Sequence, residues 1–197
     1  MHADSVSRRA VLKSLSLGVV AGSVLRVIPL QAAESAHTMI EAEKTATGAY
    51  TPKFFSAADY RTLQSLCDTI FPADADSGGA VDAGAPEFID LITSENTGYQ
   101  AQLGPGIPWL NTTCTGRYGK AYLDCTAQQQ TEILDRIAWR KNATGDPSLV
   151  SAVDSFALLR NMTADGFFTS KIGIKYLGYK GNTYLTEFPG CPPVPGI

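Results

Sequence analysis

The chain has 197 residues with 19 acidic and 16 basic side chains, for a formal net charge of −3. Residues 1–33 hold Arg8, Arg9, Lys13 and Arg26 against Asp4 alone, so the remainder is more acidic still. A nucleic-acid partner needs clustered positive surface, and no basic block follows residue 33, which excludes that class.

The N-terminus reads as an export signal. Arg8-Arg9 follow Ser7 and precede an apolar run through Leu15, Leu17, Val19, Val20, Val24 and Leu25 that closes at Arg26. The run is shorter than the ~20 residues of a membrane span. A basic head, an apolar middle and a small-residue tail describe a secretory leader. The arginine pair resembles its twin-arginine form; a basic amphipathic helix is the plainer alternative. Arg8 and Arg9 are thus the expected targeting residues. Pro29 to Ala33 supply the small-residue tail, so cleavage is expected between Ala33 and Ser35, an uncleaved anchor being the other possibility. The expected division is a signal peptide over 1–33, a linker or partner-binding arm over 34–52, and one small domain over 53–197. Twin-arginine export moves folded proteins, so the expected location is the periplasm or the periplasmic face of the inner membrane.

The first helix is expected after Ser56, with Asp59 three residues on as in a capping box. Leu63, Leu66, Cys67 and Ile70 recur at helical spacing, and Pro72 stops the run. Residues 72–86 are turn formers and acids. Asp74 and Asp76 begin like a calcium loop, but the remaining ligand positions do not follow; a solvated acidic loop is the ordinary reading. A second helix opens at Pro86, and residues 98–119 read as loop. Thr126 and Gln129 form another capping box ahead of a helix to Gly145, with Arg136, Arg140 and Lys141 suited to its C-terminal end. A third long helix starts at Asp146-Pro147, carries Leu149, Val153, Phe156, Leu159 and Met162, and is expected to stop at Gly166. The fold class expected is mainly α, with three to four helices, long loops and an irregular Gly/Pro/aromatic-rich C-terminal tail.

Catalytic machinery is hard to find. His2 and His37 fall in the leader and the arm, so the reading leaves the folded domain without a histidine base, a catalytic triad or a histidine metal site. No G-x-G-x-x-G follows a strand. Four cysteines allow three pairings. Cys114 and Cys125 flank a polar loop and are the favoured disulfide; Cys67 is a buried thiol or a bond to a partner chain; Cys191 lies in the Pro-rich tail.

Leu66–Pro72 (LCDTIFP), residues 78–90 (GGAVDAGAPEFID), residues 156–182 (FALLRNMTADGFFTSKIGIKYLGYKGN) and residues 189–192 (PGCP) together resemble the gluconate 2-dehydrogenase subunit 3 family. The resemblance spans about residues 55 to 193. It implies a small, non-catalytic subunit without a cofactor of its own. The partners it implies are an FAD-dependent large subunit of the glucose-methanol-choline type, acting on sugars, sugar acids or polyols, and in some complexes a cytochrome carrying haem c. The small subunit then supports maturation and twin-arginine export of the flavoprotein through the translocase. Phe167, Phe168, Thr169, Ser170, Tyr176, Tyr179 and Asn182 are the expected partner-facing or loop-ordering positions, since aromatic residues concentrate at interface cores. Trp109 is a second candidate anchor. An ordinarily packed tail is the alternative for these residues, and a free-standing secreted small-molecule-binding protein is the alternative function.

Overall fold

Helix begins earlier than the composition suggests. The computed structural model describes residues 28–181, and its first element, α1 (Leu30–Thr47), occupies most of the expected linker or arm. Ala32, Ala33, Ala36 and Ile40 are buried along one stripe, which lies on α3 (Ala85–Ser94). Alanines mark so narrow an apolar face that polarity hides it. Gly48 ends α1 at φ 82° and donates its N–H to the Lys44 carbonyl, the left-handed cap that glycine adopts without a Cβ clash. Lys44 Nζ reaches Glu87 Oε1 on α3 at 2.5 Å.

The second helix follows its sequence signal. The Ser56 hydroxyl accepts from Asp59 N and donates to Asp59 Oδ2 at the start of α2 (Ala57–Ile70). Tyr60, Leu63, Leu66 and Cys67 face the core. In the acidic loop beyond Pro72, Asp74 Oδ1 accepts from the backbone of Asp76 and Ser77, and Asp82 Oδ2 from Gly79 N. These carboxylates close turns. Among the described residues no group of three metal-binding side chains gathers.

Two further helices lie where glycine and proline suggest loop. Asn96 caps α4 (Thr97–Leu103), its side chain accepting from Tyr99 N. Next, α5 (Gly106–Tyr118) buries Ile107, Leu110 and Cys114. Pro105 and Pro108 are tolerated because the first turn needs no N–H donors. Conversely, the expected helix over 126–145 is two. The Thr126–Gln129 capping box starts α6 (Ala127–Ile137) as read, but extended backbone at Trp139 breaks it before α7 (Arg140–Gly145). Only Arg136 therefore sits in the last turn of α6; Arg140 and Lys141 open α7. A 3-10 turn (Pro147–Leu149) leads into α8 (Val150–Phe168), which runs through Gly166. Gly166 is close packing, not a stop: a Cβ there would stand 3.1 Å from Ala85 Cα and from the Phe88 ring. Last comes α9 (Lys171–Tyr176). The fold is mainly α, as expected, with more and shorter helices than three or four.

At its centre is α3, buried from Ala85 to Thr93 and packed against α1, α2, α4 and α8. It carries a fully buried carboxylate, Asp90. Asp90 Oδ2 accepts from Tyr50 Oη (2.7 Å) and Lys53 N (2.6 Å), and Oδ1 from Phe54 N (3.1 Å) and Phe55 N (2.9 Å). Charge-assisted acceptance of this kind is what makes a buried carboxylate tolerable.

Two outcomes follow. Asp90→Ala leaves three backbone N–H groups and a phenol without their acceptor and is expected to cost about 3 kcal/mol or more, read from the denaturant midpoint. Tyr50→Phe removes one bond of the four and is expected to cost about 1.5 kcal/mol. Cleavage between Ala33 and Ser35 would strip Ile28, Ala32 and Ala33 from the core. N-terminal sequencing of the native protein is therefore expected to give a start upstream of Ile28, and a start at residue 34 or 35 would refute this.

Candidate partner interface

The junction of α8 and α9 is built from aromatic rings and two forced glycines. Gly166 lets α8 press onto α3. One residue on, Phe167 is fully buried, its ring 4.0 Å from that of Phe71. Phe168 stands edge-on to both rings, at 5.1 and 5.8 Å. Such pairs contribute about 0.5–1.5 kcal/mol each beyond area burial. The Ser170 hydroxyl donates to the Phe167 carbonyl and accepts from Gly173 N, which turns the chain into α9. At Gly173 a Cβ would lie 2.1 Å from the Phe167 carbonyl oxygen, so no side chain fits.

This turn leaves a patch of large apolar side chains in solvent. Tyr176 is 50% exposed, Leu177 58%, Tyr179 52% and Phe168 36%. Phe167 supports the patch from beneath, with Tyr176 edge-on at 6.4 Å. The expected partner-facing or loop-ordering residues therefore divide. Phe168, Tyr176 and Tyr179 are presented outward; Phe167 and Ser170 are buried and order the turn beneath them. Leu177 was not singled out by sequence because the reading followed the aromatic residues of this stretch. Trp109 lies elsewhere, half-buried on α5 beside a cavity of about 20 Å³ shared with Phe55, Leu103, Ser155 and Phe156. Trp139, 59% exposed where α6 breaks, is a surface ring the sequence reading missed. Asn182, Cys191, Arg8 and Arg9 lie outside the described residues.

Thr169 has an internal partner, and that partner corrects the histidine reading. His37 sits within the folded domain on α1, its ring stacked on Phe88 at 5.2 Å and 17°. Its Nε2 is 3.0 Å from Thr169 Oγ1. Thr169 gives its only proton to the Asp165 carbonyl at 2.6 Å, so His37 Nε2 is the donor. Burial lowers the His37 pKa, opposed by Glu41, the Gly166 carbonyl and Glu87. Beside it Lys171 Nζ meets Glu41 Oε2 at 2.7 Å on the surface. Burial also raises the Asp165 carboxyl. The exposed patch is thus anchored to both the N-terminal and the central helix.

Cysteine geometry narrows the pairings. Cys67 is fully buried, 3.6 Å from Thr163 Oγ1, and burial pushes its thiol up to about 12. It is unreachable for a bond to a partner chain. Cys114 and Cys125 are also buried thiols, and they adjoin each other.

The family model for gluconate 2-dehydrogenase subunit 3 matches residues 57–190. The chain belongs to the gluconate 2-dehydrogenase subunit 3 family. No curated protein and no solved structure matches it. The family is that of a dehydrogenase subunit, so the chain is consistent with an accessory place in such a complex. The match covers α2 to α9 as well as the exposed patch, and stops short of α1.

The His37 contact should show in pH dependence. Its folded pKa lies below its ordinary 6.5, so the unfolded chain binds the proton first as pH falls. Stability is then complete above about pH 6.5 and declines below it. Unfolding midpoints between pH 7.5 and about pH 5 are expected to fall in the wild type and to fall less in His37→Gln.

Proposed function

We propose that this chain is the small, non-catalytic subunit of a gluconate 2-dehydrogenase-type complex. In this reading it binds an FAD-dependent large subunit through the α8–α9 corner and accompanies it, already folded, through twin-arginine export to the periplasm. A cytochrome with haem c is a further member of such a complex. The observation that carries the reading is the family match over residues 57–190. The outward face of Phe168, Tyr176, Leu177 and Tyr179 supports it, because a contiguous apolar patch rimmed by polar residues is what a docking partner covers. Lys171 and Lys175 are exposed on the same short helix. A free-standing small-molecule binder draws less support. The cavity beside Trp109, at about 20 Å³, holds about one water, whereas a small-molecule pocket is on the order of 300 Å³ or more.

A tagged chain recovered from its native envelope fraction is expected to bring down a stoichiometric flavoprotein, visible by flavin absorbance and mass spectrometry. The double variant Leu177→Asp, Tyr179→Asp is expected to lower that recovery about tenfold or more with its melting temperature unchanged. Arg8→Lys with Arg9→Lys should strand both chains in the cytoplasm. A colourless single chain from the wild type overturns the proposal.

A further inference from the structure

The turn between α5 and α6 is held in a fixed register. Asn111 Oδ1 on α5 accepts from Tyr122 N at 3.1 Å. Cys114 and Cys125 stand three residues further along each partner, with the same separation in sequence. On a helix, residues three apart share a face, so Cys114 looks toward the segment that Asn111 binds. The Cys125 N–H donates to the Tyr122 carbonyl, and Gln130 Nε2 binds that same carbonyl at 2.9 Å. Below, Tyr118 Oη donates to Glu132 Oε2 at 2.7 Å, and Arg117 pairs with the same carboxylate. Polar contacts thus hold both sides of the turn with the thiols reduced. Tyr122 is fully buried in the same cluster.

We propose that Cys114 and Cys125 are a preformed dithiol that closes to a disulfide after the chain has folded, by exchange with a small or protein disulfide. Cys114 is fully enclosed, whereas Cys125 retains a little exposure at 8%. Cys125 therefore reacts first. Its thiolate attacks one sulfur of the external disulfide, whose other sulfur leaves with the bonding electron pair and takes up a proton. Cys114 then loses its proton, attacks Cys125 Sγ and expels the second half of the donor as a thiol. Two protein thiols are oxidised and one external disulfide is reduced to two thiols, so electrons and protons balance. Burial, followed by the neighbouring Cys125, pushes the Cys114 thiol up to about 11, which suits a resolving rather than an attacking role. Cys67, buried against Thr163, has no part and serves as an internal reference.

The test uses the full chain, purified reduced and incubated folded with oxidised glutathione. Alkylation under denaturing conditions and peptide mapping then locate the bonds. The expected result is the loss of two hydrogens and a cross-link between the Cys114 and Cys125 peptides, with Cys67 alkylated. The bridged form is expected to melt roughly 6–10 °C above the reduced form, and a Cys114→Ala, Cys125→Ala variant to show no such difference. Alkylation of both cysteines after oxidation overturns the proposal, as does a bridge from either to Cys67 or Cys191. Because mapping is done on the wild type, the answer does not depend on the variant folding.

Discussion

The buried carboxylate of Asp90 is the constraint on which the rest of the structure rests. An ionised group at the centre of a helical core is stable only if donors surround it. Here the donors come from residues 50–55, the link between α1 and α2. One side chain therefore fixes how the N-terminal helix enters the domain and where α2 starts. Both helices then pack on α3, the helix that bears the carboxylate. Replacing Asp90 with an apolar residue would free that link as well as empty a site.

The same helix explains the exposed corner. Ala85 and Phe88 receive Gly166, and Phe71 at the end of α2 receives Phe167. Three of the stretches that carry the family resemblance, Leu66–Pro72, residues 78–90 and residues 156–182, thus meet at this corner. Close approach at Gly166 and Gly173 buries the first ring of the pair and turns the chain so that the following rings face out. Packing of the core and exposure of the patch are one geometric event.

The sequence was legible where a single side chain determines backbone geometry. Ser56 and Thr126 cap their helices as their motifs indicate, and the stripe from Leu149 to Met162 is helical throughout. It was misleading where local chemistry and tertiary packing disagree. Gly104, Pro105 and Pro108 signal loop, yet Ile107, Leu110 and Cys114 bury a helical face against the core. The stripe of α1 consists mainly of alanines, and burial of alanine leaves little hydrophobic signal. Gly166 reads as a breaker because the neighbours that demand it, Ala85 and Phe88, are distant in sequence. For the exposed corner, aromatic content pointed to the segment that holds it. It could not separate Phe167 from Phe168, since which ring faces inward depends on the helix phase at Gly166.

His37 and Glu41 fasten α1 to Thr169 and Lys171, so the N-terminal helix is a strut rather than a tether. Its 18 residues span about 27 Å at 1.5 Å per residue. Its body lies against the proposed docking corner. In the proposed role a passenger held at that corner would meet a surface braced along one side by the whole of this helix, not by the last two helices alone. The stiffness of the docking corner would be a property of the fold before any partner is met.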